Sequence, residues 1–297
     1  MWDIHRLRLL HELDLRGTIT AVAQTLNFSP SSVSQQLAKL SDEIGVPLLE
    51  PDGRRLRLTP QGKRIARYAA QVIELEEAVR SELSAGKPIA ETVRIATLET
   101  AGRALLPRAL TRLQATNPNL RIEAAVVPPE TGLSELEARS FDLAFAEQYP
   151  GYPRAHRDQL DRVVLGTDTI RLAVAEHSGL TELAATSDRG WVLEPAGTAS
   201  RHWAIQQCRA AGFEPDIRFD SADLEIHIHL IRAGHAVGLL PDLVWSGNTA
   251  GIRLIDLPGP AYRELFTSVR RATVARPAIV AVRSAFAAAL ADIRPPG

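Results

Sequence analysis

The chain has 297 residues, 45% of them hydrophobic and 23% charged, which is enough for two or three domains with buried cores. A net charge of -1 excludes a diffuse attraction to nucleic acid or membrane surfaces and leaves only local patches. The single cysteine, Cys208, excludes an internal disulfide and multi-cysteine metal sites and fits a reducing compartment.

The opening MWDIHRLRLLHEL has no basic region followed by an apolar core, so no signal peptide is expected. Apolar runs fall far below the ~18 residues of a membrane span, so a cytoplasmic protein without membrane association is expected. Ile4, Leu7, Leu10 and Leu13 recur at three-residue steps and predict a first helix, stopped by Gly17. A second helix runs from Ile19 to Leu26, with a turn at Asn27 and Phe28. The third opens at Ser29-Pro30, Ser29 as N-cap and Pro30 at a position that needs no N–H, and ends at Gly45.

That third helix has one apolar face, Val33, Leu37, Leu40 and Ile44. Its other side carries Ser31, Ser32, Ser34, Gln35, Gln36 and Lys39, with no acid between Ser29 and Lys39. Two short helices joined by a tight turn, the second capped and polar, form a helix-turn-helix. Small donors and acceptors suit base edges, and an acid-free face does not repel phosphate. VPLLEPDGRRLRLTP then predicts a hairpin turning at Pro51-Asp52-Gly53, which makes the module winged. Between Phe28 and Arg67 there are seven basic against four acidic side chains, so the basic patch is local. On this reading Ser31, Ser32, Ser34 and Gln35 face the major groove of double-stranded DNA, and the cap Ser29 also belongs to the DNA-binding set. Thr20, Lys39, Arg54, Arg55 and Arg57 hold phosphates.

A long helix follows, with Thr59 as N-cap and Pro60 first. Ile65, Val72 and Val79 lie seven apart, and Tyr68 and Leu75 three after the first two, a short a/d seam that Glu82 breaks. The seam fits a helix that pairs with a second chain or one packed on its own domain. SAGKP, residues 84–88, is a natural hinge. Strand and helix patterns then alternate to the end, which argues for parallel sheet covered by helices in two α/β units with a cleft between them. Ligands in such folds lie beyond the carboxyl ends of strands and near helix N-termini. The candidates are Thr97, Glu99 and Thr100 after one strand, Glu147 and Gln148 after another, Thr198 and Ser200 opening a helix, and Ser221. Hydroxyls at helix N-termini favour an anion. Glu99 and Glu147 oppose one, so an amine or a larger uncharged effector stays open beside a simple acid.

Glu225, His227, His229 and His235 invite a metal reading, but on a helix His227 and His229 point about 200° apart, and no metal or other cofactor is expected. No nucleophile elbow and no phosphate loop is present, so an enzyme is not expected.

From Gly17 to Gly62 the sequence resembles the winged helix-turn-helix of LysR-type transcriptional regulators. Gly17, Thr20, Ala21, Ala23, Leu26, Ser34, Leu37, Leu40, Gly45, Leu48, Leu58, Thr59 and Gly62 carry the match. LLPRALTRLQATNPNLRI, FDLAFAE and IRAGHAVGLLPD resemble the family's effector-binding domain. The resemblance implies a DNA-binding domain over 1–58, a linker and dimerisation helix over 59–84, a hinge over 85–90 and an effector domain over 91–297. That last domain would be periplasmic-binding-protein-like, with subdomain I at about 91–166 and 265–297 and subdomain II at about 167–264. It also implies a small-molecule effector, assembly as a homodimer or homotetramer, and RNA polymerase as a further partner. An effector-independent nucleoid-associated protein and an α/β enzyme are the alternatives. Leu49 and Pro51 stand where the family usually has Phe and Arg, and Gln35 where it usually has Arg, so wing contacts would shift to Arg54, Arg55 and Arg57.

Overall fold

The computed structural model describes residues 2–52, 55–83, 89–245 and 248–293. Helices α1 (Ile4–Arg16), α2 (Ile19–Leu26) and α3 (Pro30–Ile44) each begin on a side-chain cap. Asp3 accepts from His5 N at 2.7 Å, Thr18 from Ala21 N at 3.2 Å and Ser29 from Ser32 N at 3.1 Å. Each ends in a left-handed residue, Gly17, Asn27 and Gly45 at φ 73°, 55° and 80°. Leu7, Leu9, Leu10, Leu13, Val22, Val33, Leu37 and Leu40 form one buried core. Ile4, expected on that face, is 42% exposed.

The hairpin β1 (Leu49–Asp52) and β2 (Arg55–Leu58) pairs Glu50 with Arg57 and Asp52 with Arg55. Thr59 caps α4 (Pro60–Leu83), its hydroxyl accepting from Gly62 N at 2.9 Å and donating to Pro47 O at 2.8 Å. Gly62 is required: a Cβ there would stand 2.1 Å from Leu48 O. Ala66, Ala69 and Ile73 bury the inner face of α4, the two alanines within the head's core. Ile65 also packs on that core, whereas Tyr68, Leu75, Val79 and Leu83 are 43%, 67%, 46% and 66% exposed. The hinge residues 84–88 lie outside the described residues.

The remainder is two α/β lobes. The first contains β3 (Thr92–Thr97), α5 (Glu99–Ala104), α6 (Leu106–Thr116), β4 (Arg121–Val126), α7 (Pro129–Glu137) and β5 (Leu143–Gln148). It is left through β6 (Leu160–Ala175). The second contains β7 (Gly190–Leu193), α8 (Ala199–Ala210), β8 (Asp216–Asp220), α9 (Leu224–Arg232), β9 (Gly238–Pro241) and β10 (Ile252–Ile255). The chain returns through β11 (Tyr262–Arg270) and closes with α10 (Pro277–Ala291). Helices α5 and α6 are separated at Leu105, because Pro107 has no N–H to continue α5 and suits the first turn of α6.

The main sheet runs β10-β6-β11-β5-β3-β4, with β9 also on β6. It corrects the expectation of a parallel sheet: β3 pairs parallel with β4 and β5, but β11 is antiparallel to both β5 and β6. The cause is connectivity, since β11 re-enters the first lobe against the direction of the strands already there. Strand β6 belongs to both lobes, pairing through Leu160–Thr169 with β11 and through Ile170–Ala175 with β9 and β10.

A polar joint fastens the head and α4 to the first lobe. Arg139, a non-glycine residue at φ 61°, donates to Glu77 at 3.3 Å and lies 3.2 Å from His11 Nε2. Arg270 Nε donates to Glu77 at 3.2 Å, and its Nη1 to Leu136 O and Phe141 O at 3.0 and 2.7 Å. Arg16 donates to Ala138 O at 3.2 Å and Ser140 Oγ at 3.0 Å. Burial, reinforced by the Arg139 charge, pushes the His11 pKa down to about 4, so this imidazole is neutral.

Candidate functional site

On the head, the packing of Val33, Leu37 and Leu40 leaves Ser31, Ser34, Gln35 and Lys39 exposed on α3, with Ser32 half-buried. Ser29 is engaged as cap and by Ser31, whose hydroxyl is 2.9 Å away, so this pair stiffens the helix start. Gln36 faces inward and accepts from Arg6 Nε at 2.9 Å, and the same guanidinium pairs with Glu43, masking an acid near the polar face. Thr20 is exposed in the first turn of α2. Arg57 pairs with Glu50 at 2.8 Å, but both side chains are well exposed, and such a pair yields readily to a phosphate. Arg54 and the Arg55 side chain lie outside the described residues.

Between the lobes is a cavity of about 380 Å³. Glu99 and Thr100 of α5, Glu147 of β5, and Thr198 and Ser200 at the start of α8 all line it. Three expected residues do not line it. Thr97 is fully buried beneath it and donates to Leu98 O at 3.2 Å, because the last residue of β3 points inward. Gln148 is turned to Glu264 at 2.9 Å and Arg162 at 2.8 Å by its place beside β11. Ser221 closes a turn, its hydroxyl accepting from Asp223 N at 3.1 Å.

Sequence reasoning missed Glu130, Arg154, Glu194 and Arg263, which also line the cavity. Arg263 is 4% exposed. Its Nε donates to Asp168 at 2.9 Å, Nη1 to Glu147 at 2.5 Å, and Nη2 to Thr100 Oγ1 at 2.6 Å and Asp168 at 2.7 Å. Burial works against its charge, but Glu147 and Asp168 outweigh it and raise its pKa above the ordinary value. Arg154 pairs with Glu130 and donates to the Glu147 carbonyl. Burial, with Glu147 nearby, pushes the Glu194 carboxyl up to about 8. A signal for Arg263 existed: it shares strand parity with the buried Leu265, an unusual place for a lone cation. In α9, His227 is buried and His229 exposed, and among the described residues no three His, Cys, Asp or Glu side chains are grouped to hold a metal.

A winged helix-turn-helix, a long connecting helix and a two-lobed α/β domain with a ligand-sized cleft together define a ligand-responsive DNA-binding regulator. Comparison with known proteins names the family. Residues 4–63 match the bacterial regulatory helix-turn-helix protein of the lysR family, and residues 86–291 match the LysR substrate binding domain. The chain belongs to the LysR family and is a DNA-binding transcriptional regulator whose second domain takes a small-molecule effector. Similar proteins include the transcriptional dual regulator GltC of Bacillus subtilis, 25% identical over 83% of each chain. The malonate utilization transcriptional regulator of Klebsiella pneumoniae is 26% identical over 82% of this chain and 81% of its own. In fold the chain is similar to a full-length OxyR variant from Pseudomonas aeruginosa, at TM-score 0.72 and 20% identity over 96% of this chain and 95% of the other. It is also similar to full-length CbnR complexed with its target DNA, at TM-score 0.54 and 20% identity over 96% and 99%. No helix among the described residues is long and apolar enough to cross a membrane.

Proposed function

We propose that α3 reads base edges in the major groove through Ser34 and Gln35, with Ser31 and Ser32 at its entry, while Thr20, Lys39 and the wing arginines hold phosphates. The carrying observation is the exposed, acid-free strip of α3, held rigid by the Ser29 cap and set beside the wing. Two heads are joined through the exposed face of α4, as a homodimer or a pair of dimers, placing half-sites about one DNA turn (~34 Å) or a multiple of it apart. The protein acts in the cytoplasm on transcription by RNA polymerase and carries out no chemistry of its own. Closure of the lobes around an effector changes its grip on DNA, for which a differential affinity of about 1–3 kcal/mol suffices. A thiol-based response to peroxide would need an accessible low-pKa thiolate. Cys208 is buried, and burial with Glu214 pushes its thiol up to about 12, so that reading is set aside.

Gel-shift titrations on varied operators test the assigned roles. Gln35→Ala changes the preferred sequence, by about 1–3 kcal/mol at one base position. Arg57→Ala weakens all sites alike and lowers the salt slope by about one. Indistinguishable behaviour of the two variants overturns the assignment.

A further inference from the structure

The proposal rests on the effector-cleft reading and names the ligand class. Four carboxylates line the cavity, Glu99, Glu130, Glu147 and Glu194, against two guanidinium groups, Arg154 and Arg263. Both guanidiniums are engaged. Arg263 reaches Asp168, Glu147 and Thr100, and Arg154 reaches Glu130 and the Glu147 carbonyl. Glu99 is met by Arg103 at 3.0 Å and by Leu224 N at 3.5 Å. Glu194 differs: among the described residues its carboxylate has only the Ser200 hydroxyl as a donor.

Beyond Glu194 the cavity adjoins an inner chamber of about 40 Å³ that shares Glu194, Ser200, Leu224 and Arg263 with it and is also lined by His227. That volume holds a water or a small head group and nothing larger. His227 is 1% exposed, and its Nε2 lies 2.8 Å from Ser221 O, which fixes the hydrogen on that nitrogen. Its Nδ1 is therefore an acceptor, and it is buried without a partner. Burial lowers the pKa of this imidazole, so Nδ1 keeps its lone pair at neutral pH. Glu194, met only by the Ser200 hydroxyl among the described residues, and the neutral His227 ring thus line one small chamber. The outer cavity is walled by Leu98, Val126, Val127, Pro128 and Leu224. We infer that the effector is an organic cation, a primary ammonium on a largely apolar body, with the ammonium in the inner chamber donating to Glu194.

The chemistry of binding follows. Burial is the main cause that raises the Glu194 pKa, and Glu147 on β5, Glu99 on α5 and Glu130 on α7 add like charge to it, opposed by Arg263 on β11. His227 and Tyr149 beside it are neutral. Below about pH 8 the empty cleft therefore holds Glu194 protonated. An incoming R–NH3+ pairs with the carboxylate form, and the displaced proton passes to buffer. Affinity for an amine rises with pH up to about 8, by as much as about tenfold per unit.

The test uses the full chain and matched probes: benzylamine and hexylamine, benzoate and hexanoate, benzyl alcohol and hexanol. Thermal stabilisation and calorimetry in two buffers of different ionisation enthalpy read binding and proton release, and operator gel shifts read the consequence for DNA. The amines bind at millimolar concentration or better and release about one proton at neutral pH. Glu194→Gln, of the same shape, weakens them on the order of tenfold and abolishes the release. Binding of the acids or alcohols in place of the amines overturns the ligand class, and so does equal amine binding by Glu194→Gln or failure of every amine to bind. If an acid or alcohol binds and shifts operator affinity, the effector cleft stands while the cation assignment falls. If the amines bind with Glu194 dependence but leave operator affinity unchanged, the cation assignment stands and the regulatory reading falls.

Discussion

Gly62 illustrates how one residue fixes the joint between the wing and α4. The Leu48 carbonyl lies against its Cα, and any Cβ would meet it at 2.1 Å. Both partners are backbone, so neither rotates away. Gly62→Ala therefore destabilises the head by about 1–3 kcal/mol despite alanine's better helix propensity, measured by urea denaturation. An unchanged midpoint would mean that the wing shifts at no cost. At this scale the caps were the most legible features, because Ser29 and Thr59 act within three residues of their own position. Glu194 was the least legible. Its role depends on Glu147, Glu99 and Glu130 arriving from another lobe, and no local pattern announces that.

At the scale of elements, α4 has two faces with different duties. Ala66, Ala69 and Ile73 are buried, while Leu75, Val79 and Leu83 stand in solvent within a single protomer. The alanine face is packed on its own domain, as one of the two sequence readings expected, and the exposed Leu75, Val79 and Leu83 are the face that the proposed pairing would use. Leu75→Asp, at a residue 67% exposed, leaves the protomer's melting temperature within a few degrees but lowers the assembly state in sedimentation velocity. A variant that keeps the parent's assembly would place the interface elsewhere. Helix periodicities and the presence of the hairpin were readable because each repeats a local rule, although Pro51 and Asp52, expected in the turn, lie in β1 opposite Leu56 and Arg55. Strands β7 and β10 were not, since four residues such as GWVL or IRLI are too few to show alternation.

Across the whole molecule, head, connecting helix and first lobe meet at Glu77, with His11 behind Arg139. The His11 pKa falls from 6.5 to about 4 on folding, so the unfolded chain binds more protons than the folded one between those values. Stability is then fully present above about pH 6.5 and declines as pH falls toward 4, by up to about 3 kcal/mol. Thermal midpoints from pH 4 to 7 would show this slope in the parent protein and a shallower one in His11→Gln. Parallel slopes would show that His11 is not the group responsible. This joint was invisible in the sequence, because its members come from four distant segments and each, taken alone, is an ordinary surface charge.

Strand β11 has one further property. Arg263, near its first residue, closes the floor of the ligand cavity, and Arg270, its last, holds α4 through Glu77. Seven steps of extended backbone, about 23 Å, separate them. Strand β6 pairs with the whole length of β11, with a register shift between Leu265 and Phe266, and β5 pairs with its middle, Glu264–Ser268. One continuous strand thus carries both a wall of the ligand cavity and an anchor of the connecting helix.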